Sequence, residues 1–231
     1  MFVGDDLACL RGSRLVFTGL SFGLEPGAAL VLTGPNGCGK SSLLRLMAGL
    51  LRPLAGSLSW NGEAIAEAPD EHRGRISYVG HLDAVKPALT VHENLAFWAA
   101  LADPREAAAR TGLALDEFGL GALSDLPGRY LSAGQRRRLA VARLLAAPAR
   151  LWLLDEPTTG LDRDGIARLE AAMVRHRDGG GMIALATHTD QALAGAQSLC
   201  VGDYAPAAGG QPAYNADDGG DRAVAPVGAG R

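Results

Sequence analysis

Apolar residues along this chain alternate between short continuous runs and longer stretches with helical spacing. The run AALVLTG at 28–34 has the length and the glycine ending of a buried strand, and SSLLRLMAGLL at 41–51 places leucines on one face of a helix. The same patterns predict strands at 57–62, 75–80, 151–156 and 182–188, and helices at 90–102, 104 to about 123, 132–149 and 163–176. Strands that alternate with helices are typical of βαβ units, so we predict an α/β fold with a mainly parallel sheet.

Two regions depart from this alternation. From about 86 to 147 nearly every predicted element is a helix, which indicates a helical subdomain. From Ala205 onward the composition changes to Gly, Ala, Pro and Asp, and such a segment buries too little apolar surface to offset the entropy of ordering it. We therefore expect one folded domain over 1–204 and a disordered tail over 205–231.

The overall composition limits the classes of protein that fit. The chain has 231 residues and is 48% hydrophobic, which is enough for a sizeable core. Its net charge is -3 and its pI is about 5.9, which argues against a protein that coats nucleic acid, so we expect no nucleic-acid partner. The concentrated basic run Arg136–Arg138 is expected to be a solvated helix face.

Cysteine usage and hydropathy favour a cytoplasmic location. Cys9, Cys38 and Cys200 show neither paired spacing nor a metal-binding pattern, which fits a reducing compartment. The N-terminal segment carries acidic residues where a secretion signal would be positive, and no apolar run reaches the roughly 18 residues that span a bilayer. If the protein works at a membrane, we expect a partner to supply the spanning part.

The segment GPNGCGKS has the spacing of a phosphate-binding loop and lies between a predicted strand and a predicted helix. Glycines let the backbone curl so that successive N–H groups surround phosphate oxygens, and the following helix adds the positive end of its dipole. Lys40 is expected to contact the β- and γ-phosphates and Ser41 to ligate Mg²⁺. The predicted nucleotide-binding residues are Gly34, Pro35, Asn36, Gly37, Cys38, Gly39, Lys40, Ser41 and Ser42. The alternative is a glycine-rich turn before an ordinary helix.

A second acidic motif ends the apolar run LWLLDE. Asp155 is placed at the carboxyl end of a buried strand, where the ligands of parallel sheets collect, and is expected to hold Mg²⁺ directly or through water. Glu156 is expected to act as the general base that polarises the attacking water. The alternative for such a pair of acids is a plain turn or a helix cap.

The stretch LSAGQRRR at 131–138 resembles the LSGGQ signature of ABC-type ATPases. The order of phosphate loop, signature, LLDEPTTGLD and a strand that ends in His188 is also the order found in that family, and the resemblance covers roughly 5–204. It implies a P-loop NTPase fold with a mainly parallel core sheet, an antiparallel β subdomain and an α-helical subdomain. It also implies an ATPase that uses ATP and Mg²⁺ and works as a head-to-tail homodimer.

The resemblance assigns further residues by position. The signature residues of one chain would cover the γ-phosphate held by the other chain, and these are Ser132, Ala133, Gly134 and Gln135. Asp162 matches the loop that communicates across the dimer, and His188 matches the catalytic switch histidine that contacts the γ-phosphate. Ala133 stands where the family usually has glycine.

The aromatic residue on which adenine stacks in the family is not seen before Phe17. The segment LACLRGSRL has no ring, so adenine is expected to pack on Cys9, Leu10 or Arg11 instead.

The segment VGHLDAVKP at 79–87 points to one branch of the family. His81 occupies the position at which most ABC ATPases have a glutamine that contacts Mg²⁺ or the attacking water. A histidine there, followed by Lys86, Leu89, Thr90, Glu93, Asn94 and Leu95, resembles the haem-exporter ATPases of cytochrome c maturation. The resemblance implies that His81 is a catalytic, nucleotide-sensing residue that also contacts Mg²⁺. The alternative is a tolerated polar exchange without a special role.

The implied function is ATP hydrolysis for haem export, or for release of a haem-loaded chaperone, in cytochrome c maturation. The implied partners are a second copy of this chain, an inner-membrane permease docked on the helical insert and on 81–98, and, indirectly, a periplasmic haem chaperone. The implied location is the cytoplasmic face of the bacterial inner membrane. His72, His92 and His176 lie in polar stretches and are expected on the solvated surface rather than on haem.

Three other functions remain open at this point. The chain could serve an exporter of another cargo, such as a lipid, a peptide or a drug. It could be a soluble ABC ATPase that acts on ribosomes or DNA, although such proteins usually carry two ATPase domains or long coiled coils. It could also be a catalytically silent binding module, which the intact Lys40, Asp155, Glu156 and His188 disfavour.

Overall fold

The computed structural model describes residues 1–187 and 193–206. Its strands are β1 (Phe2–Arg11), β2 (Arg14–Leu24), β3 (Ala29–Thr33), β4 (Ala55–Trp60), β5 (Glu63–Ala64), β6 (Ile76–Val79), β7 (Leu151–Asp155), β8 (Met182–Ala186) and β9 (Gln197–Cys200). Its α-helices are α1 (Lys40–Met47), α2 (Pro69–Arg75), α3 (Val91–Ala102), α4 (Ala107–Glu117), α5 (Ala133–Ala146) and α6 (Arg163–Asp178).

A five-stranded parallel sheet forms the centre of the fold, in the order β6-β7-β8-β3-β9. The strands β7 and β8 are buried along their whole length, as expected for parallel strands that are covered on both faces. The predicted α/β fold with a mainly parallel sheet is therefore confirmed, and the carboxyl ends of β3, β6 and β7 lie along one edge.

A separate antiparallel sheet has the order β2-β1-β4-β5. Its long strands β1 and β2 pair from Phe2↔Leu24 to Arg11↔Arg14, with a bulge after Gly4 where the register shifts. At Gly56 in β4 a Cβ atom would lie 2.3 Å from the carbonyl oxygen of Asp5, so the two strands can approach this closely only because glycine lacks one. The antiparallel β part of the predicted fold is confirmed, although the hydrophobic pattern alone did not predict β1 or β2.

Buried side chains form two clusters, one on each face of the parallel sheet. In β7, Leu151 and Leu153 belong to the cluster that includes β1, β2, β4 and α1. Trp152 and Leu154 face the opposite cluster, which includes α3, α4, α5 and α6. This alternation follows from the two-residue period of a strand, and it makes the sheet the common wall of both clusters.

Three helices, α3, α4 and α5, occupy the region predicted as helical. At the start of α3 the Thr90 hydroxyl accepts a hydrogen bond from Glu93 N at 3.0 Å, and the Glu93 carboxylate accepts one from Thr90 N at 2.8 Å, so the two residues form a capping box. Helix α4 ends earlier than predicted, before Gly119, whose φ of +62° is a left-handed conformation that glycine adopts without strain.

The expected surface position of the histidines holds for only one of them. His92 is exposed, but His72 is 2% exposed and its ring stacks on Phe2 with a centroid distance of 5.7 Å. His176 is half-buried and stacks on Trp152 at 3.9 Å. The burial of these two histidines could not be predicted from the polar sequence around them, because the aromatic residues that cover them come from distant strands.

In the part of the chain that the structure describes, no helix combines the length and the apolar character needed to cross a membrane. The predicted tail from 207 onward lies outside the described residues, as does His188.

Candidate nucleotide-binding site

A cavity of about 350 Å³ opens at the carboxyl edge of the parallel sheet. Three of the predicted segments meet there: the phosphate loop and the start of α1, the acidic end of β7, and the residue that follows β6. The predicted site residues that line it are Asn36, Gly37, Gly39, Lys40, Ser41, Ser42, His81, Asp155 and Glu156. Gly34, Pro35 and Cys38 belong to the same loop without lining the cavity.

The phosphate loop has positive φ values at three positions, and glycine occupies each of them. Gly34, Gly37 and Gly39 have φ values of +121°, +78° and +113°. At Gly39 a Cβ atom would lie 2.6 Å from Val16 Cγ1 and 2.9 Å from the Phe17 ring, so any side chain would push the loop off the core. Glycine here allows both the curl of the loop and its close packing against β2.

Lys40 is the first residue of α1, and its side chain is buried under the loop. Its ammonium group donates hydrogen bonds to the Gly34 carbonyl at 2.7 Å and to the Pro35 carbonyl at 3.3 Å. The positive charge is thus held at the point where the loop turns into the helix. An anion in this cavity would meet both this ammonium group and the N-terminus of α1.

Two oxygen ligands suited to a divalent cation lie next to Lys40. The Ser41 hydroxyl donates a hydrogen bond to Asp155 Oδ1 at 3.0 Å, and Asp155 is only 4% exposed. Hydroxyl and carboxylate oxygens are the ligands that Mg²⁺ prefers. Among the described residues no three His, Cys, Asp or Glu side chains cluster as a metal site.

Glu156 lies at a sharp turn directly after β7. Its φ is +50°, an unusual value for a residue with a side chain, which costs about 1–3 kcal/mol and persists only when its surroundings enforce it. Its N–H donates to the Ala186 carbonyl at 2.9 Å, which ties the turn to the end of β8. The turn places the Glu156 carboxylate at the cavity wall beside Asp155.

His81 also lines the cavity and is exposed to solvent. It follows β6, whose carboxyl end adjoins that of β7 in the parallel sheet. The structure thus brings His81 to the same cavity as both acids, as a residue that senses nucleotide would require. His188, the other predicted histidine, is not among the described residues.

The signature segment lies away from this cavity. Ser132 caps α5 by accepting a hydrogen bond from Gln135 N at 3.2 Å, and Gln135 Oε1 accepts one from Ser132 N at 2.9 Å. Ala133 is exposed, and neither it nor Gly134 lines the cavity. One chain therefore does not bring its own signature to its own phosphate loop.

Asp162 is held by two partners at the start of α6. It accepts hydrogen bonds from Gly165 N at 2.9 Å and from Arg138 at 2.6 Å. The backbone N–H of Gly165 and then the Arg138 guanidinium lower the pKa of Asp162, so its carboxylate stays ionised. Asp162 thus links the loop before α6 to the signature helix α5.

The structure corrects the expectation that the arginine run Arg136–Arg138 is a solvated helix face. Arg136 binds the Leu131 carbonyl and Arg138 binds Asp162, both near the surface. Arg137 is instead 4% exposed, so this run is not simply a solvated face. The side chain of Arg137 points into the protein, and the charge pattern of the sequence could not reveal this direction.

The cavity also includes residues outside the predicted motifs. Arg11, Arg14 and Val16 also line it, whereas Cys9 is buried in the core. Of the three residues expected to contact adenine, only Arg11 therefore lines the cavity. The hairpin register Arg11↔Arg14 brings the second arginine beside it, and the sequence RGSR was the available signal.

Comparison with known proteins agrees with this geometry. Residues 17–159 match the family model described as ABC transporter. A cytochrome c biogenesis ATP-binding export protein, CcmA, from Rhodospirillum rubrum is 57% identical over 206 residues, which cover 89% of this chain and 88% of that protein. A CcmA protein from Paramagnetospirillum magneticum is also 57% identical, over 89% of this chain and 96% of that protein.

Solved structures show the same fold. The ATP-binding subunit of an ABC transporter superposes with a TM-score of 0.75 at 27% identity, over 81% of this chain and 79% of that one. A dimeric ATP-binding cassette bound to ADP and phosphate has a TM-score of 0.75 at 22% identity, over 87% of this chain and 95% of that one, and supports the fold alone. The chain therefore belongs to the ABC transporter family, in the branch of the cytochrome c biogenesis ATP-binding export proteins.

Proposed function

We propose that this chain is the ATP-hydrolysing subunit of a membrane complex that exports haem, or releases a haem-loaded chaperone, during cytochrome c maturation. The observation that carries the proposal is the cavity in which Lys40, the Ser41–Asp155 pair, Glu156 and His81 meet. The 57% identity to CcmA proteins supports the assignment to cytochrome c maturation.

Binding of ATP would begin at the phosphate loop. Lys40 would exchange its hydrogen bonds to the Gly34 and Pro35 carbonyls for phosphate oxygens, which accept stronger, charge-assisted bonds. Ser41 and Asp155 would hold Mg²⁺, which when bound neutralises charge on the phosphates. In the same cavity, the Arg11 guanidinium would offer a cationic, planar surface for the adenine ring in place of an aromatic residue.

Hydrolysis then needs a base and an oriented water molecule. Glu156 would accept a proton from the attacking water, and His81 would hydrogen-bond that water from the opposite segment of the wall. His188 would contact the γ-phosphate, by the family resemblance. The signature residues Ser132–Gln135 of a second copy would close over the phosphate, because the capping box of α5 uses the N–H groups of Ser132 and Gln135 and leaves those of Ala133 and Gly134 for an anion.

Docking on a membrane partner is supported by apolar side chains exposed after β6 and on α3. Leu82 is 83% exposed in the segment after β6, and Phe97 and Leu101 of α3 are 47% and 70% exposed. Contiguous exposed apolar patches commonly mark interaction surfaces. An inner-membrane permease that contacts them would hold this chain at the cytoplasmic face, and the permease would lie close to His81. The haem chaperone would be reached only through that permease.

The test is deletion of the gene in its host, followed by a haem stain for c-type cytochromes. We expect these cytochromes to be lost and to return with the wild-type gene. Lys40→Ala should not restore them, whereas the exposed Arg52→Ala, outside the cavity, should restore them. Normal c-type cytochromes in the deletion strain would assign the ATPase to another cargo, such as a lipid, a peptide or a drug.

A further inference from the structure

Resting on the proposed ATPase function, we propose that Arg137 is a positioning residue that holds the Asp155–Glu156 turn and the His81 segment in one fixed arrangement. Arg137 lies in the second turn of α5, with its side chain directed into the protein and 4% exposed. Burial of a guanidinium group is costly unless its donors are satisfied. The partners of those donors therefore indicate what the residue does.

Three of the contacts of Arg137 fall on consecutive residues of the turn after β7. Its Nη2 donates to the Glu156 carbonyl at 2.7 Å and to the Asp155 carbonyl at 3.3 Å. Its Nε donates to the Pro157 carbonyl at 3.2 Å. A single side chain thus forms hydrogen bonds with the backbone that carries both acidic residues of the cavity.

The third nitrogen of the guanidinium, Nη1, bonds the segment that carries His81. Arg137 Nη1 donates to the Gly80 carbonyl at 2.9 Å and to Asp83 Oδ1 at 3.3 Å. Gly80 and Asp83 flank the segment that carries His81, on either side of it in the sequence. The guanidinium therefore joins the backbone of the expected base, Glu156, to the backbone of the expected sensor, His81.

The shape of the guanidinium explains why this position suits arginine. Its donors lie in one plane with fixed angles, so the carbonyls of Gly80 and Glu156 are held at a set separation. Lysine has a single flexible ammonium group and cannot bond both walls in a defined geometry. The same contacts also help to enforce the positive φ of Glu156, because a residue keeps this strained conformation only where several surrounding contacts hold it.

The contact also connects the cavity to the signature. Helix α5 begins at the Ser132 cap and carries Arg137 one turn later, so the helix and the Glu156 turn are bonded to each other. Contact of a second copy with the signature would therefore act on the same helix that holds the base and His81. Arg137 touches no reacting atom and acts through these backbone segments.

The experiment compares Arg137→Lys and Arg137→Gln with Arg136→Gln, a neighbour on the same helix whose hydrogen bond within the described residues is to the Leu131 carbonyl. ATP hydrolysis by the purified full-length chain gives kcat and KM, and a fluorescent ATP analogue gives Kd. We expect both Arg137 variants to lose about 10–100-fold in kcat, since displacement of a catalytic group by about 1 Å can cost 100-fold. Their Kd for ATP should stay within about 3-fold of wild type, and Arg136→Gln should match wild type in both quantities.

A purely structural role would give a different pattern. Thermal unfolding of each variant is measured alongside the kinetics, and failure of Arg137→Lys to fold would overturn the proposal by assigning Arg137 to stability. Wild-type kcat in Arg137→Lys, or equal loss of Kd and kcat, would also overturn it. If the wild-type chain itself neither binds nor hydrolyses ATP, the proposed function fails instead, so the two failures are distinguishable.

Discussion

At the scale of single residues, His72 shows how burial changes the chemistry of a side chain. Its ring stacks on Phe2 and meets Trp60 edge-on, and its Nε2 lies 2.8 Å from the Met47 carbonyl. Desolvation by burial lowers the pKa of His72, and the nearby Arg75 and Arg73 lower it further, whereas the hydrogen bond to Met47 opposes them. The neutral ring is therefore the form that the fold prefers.

This preference makes stability depend on pH. Because the pKa of His72 in the fold lies below its unfolded value of about 6.5, its contribution to stability is complete above that value and is lost as the pH falls below it. We expect the melting temperature of the wild-type chain to drop between about pH 7.5 and 5.5, and to drop less in His72→Gln, which does not titrate. The exposed His92→Gln should keep the wild-type dependence. An unchanged pH dependence in His72→Gln would contradict the assignment.

The same scale shows what the sequence can predict about the site. The spacing of GPNGCGKS and the acids after LWLL predicted residues that the structure brings to one cavity, because the ends of parallel strands must share an edge. The burial of Arg137 and the place of Arg14 in the cavity were not predicted. Both depend on which way a side chain points after distant segments meet, and local pattern carries no such information.

At the scale of elements, helix caps connect a short sequence motif to local stability. The capping box of α3 uses Thr90 and Glu93, and that of α5 uses Ser132 and Gln135. Both boxes satisfy N–H groups that a helix start leaves without partners inside the helix. This explains why both helix starts could be predicted from sequence within one or two residues.

The cap of α3 gives a direct test. Thr90→Ala should lower the free energy of unfolding by about 1 kcal/mol, because the hydroxyl that bonds Glu93 N is lost. For a chain of this size the melting temperature should fall by about 2–4 °C. Thr90→Ser keeps the hydroxyl and should stay close to wild type. Urea unfolding followed by circular dichroism measures the effect, and an equal midpoint for Thr90→Ala and wild type would contradict it.

Elements that the hydrophobic pattern missed share a physical cause. β1 contains two adjacent acids, Asp5 and Asp6, and Asp6 has a φ of +49° at a shift in register, so the alternation of apolar residues is interrupted. α2 is only seven residues long and strongly polar, and β9 has four residues. Such elements are stabilised by pairing or packing with remote partners rather than by their own periodicity.

At the scale of the whole molecule, the separation of signature and cavity within one chain predicts assembly. Glu156→Gln should bind ATP without hydrolysing it, and the trapped nucleotide should hold two copies together, because binding to the dimer alone shifts the equilibrium towards it. Size-exclusion chromatography with light scattering should show a dimer with ATP and a monomer without it. The double variant Lys40→Ala with Glu156→Gln should remain monomeric. A monomer of Glu156→Gln at saturating ATP would rule out the shared site.

The two clusters of buried side chains on opposite faces of the parallel sheet have a consequence for how this protein can change over evolutionary time. Substitutions on α3 and α4 alter the cluster that contains Trp152 and Leu154, whereas the signature and Arg137 belong to α5. The cluster behind the phosphate loop, with Leu151 and Leu153, lies on the opposite face of the same sheet. Lineages can therefore remodel the surface of α3 and α4 while the machinery for cleaving ATP is inherited nearly intact.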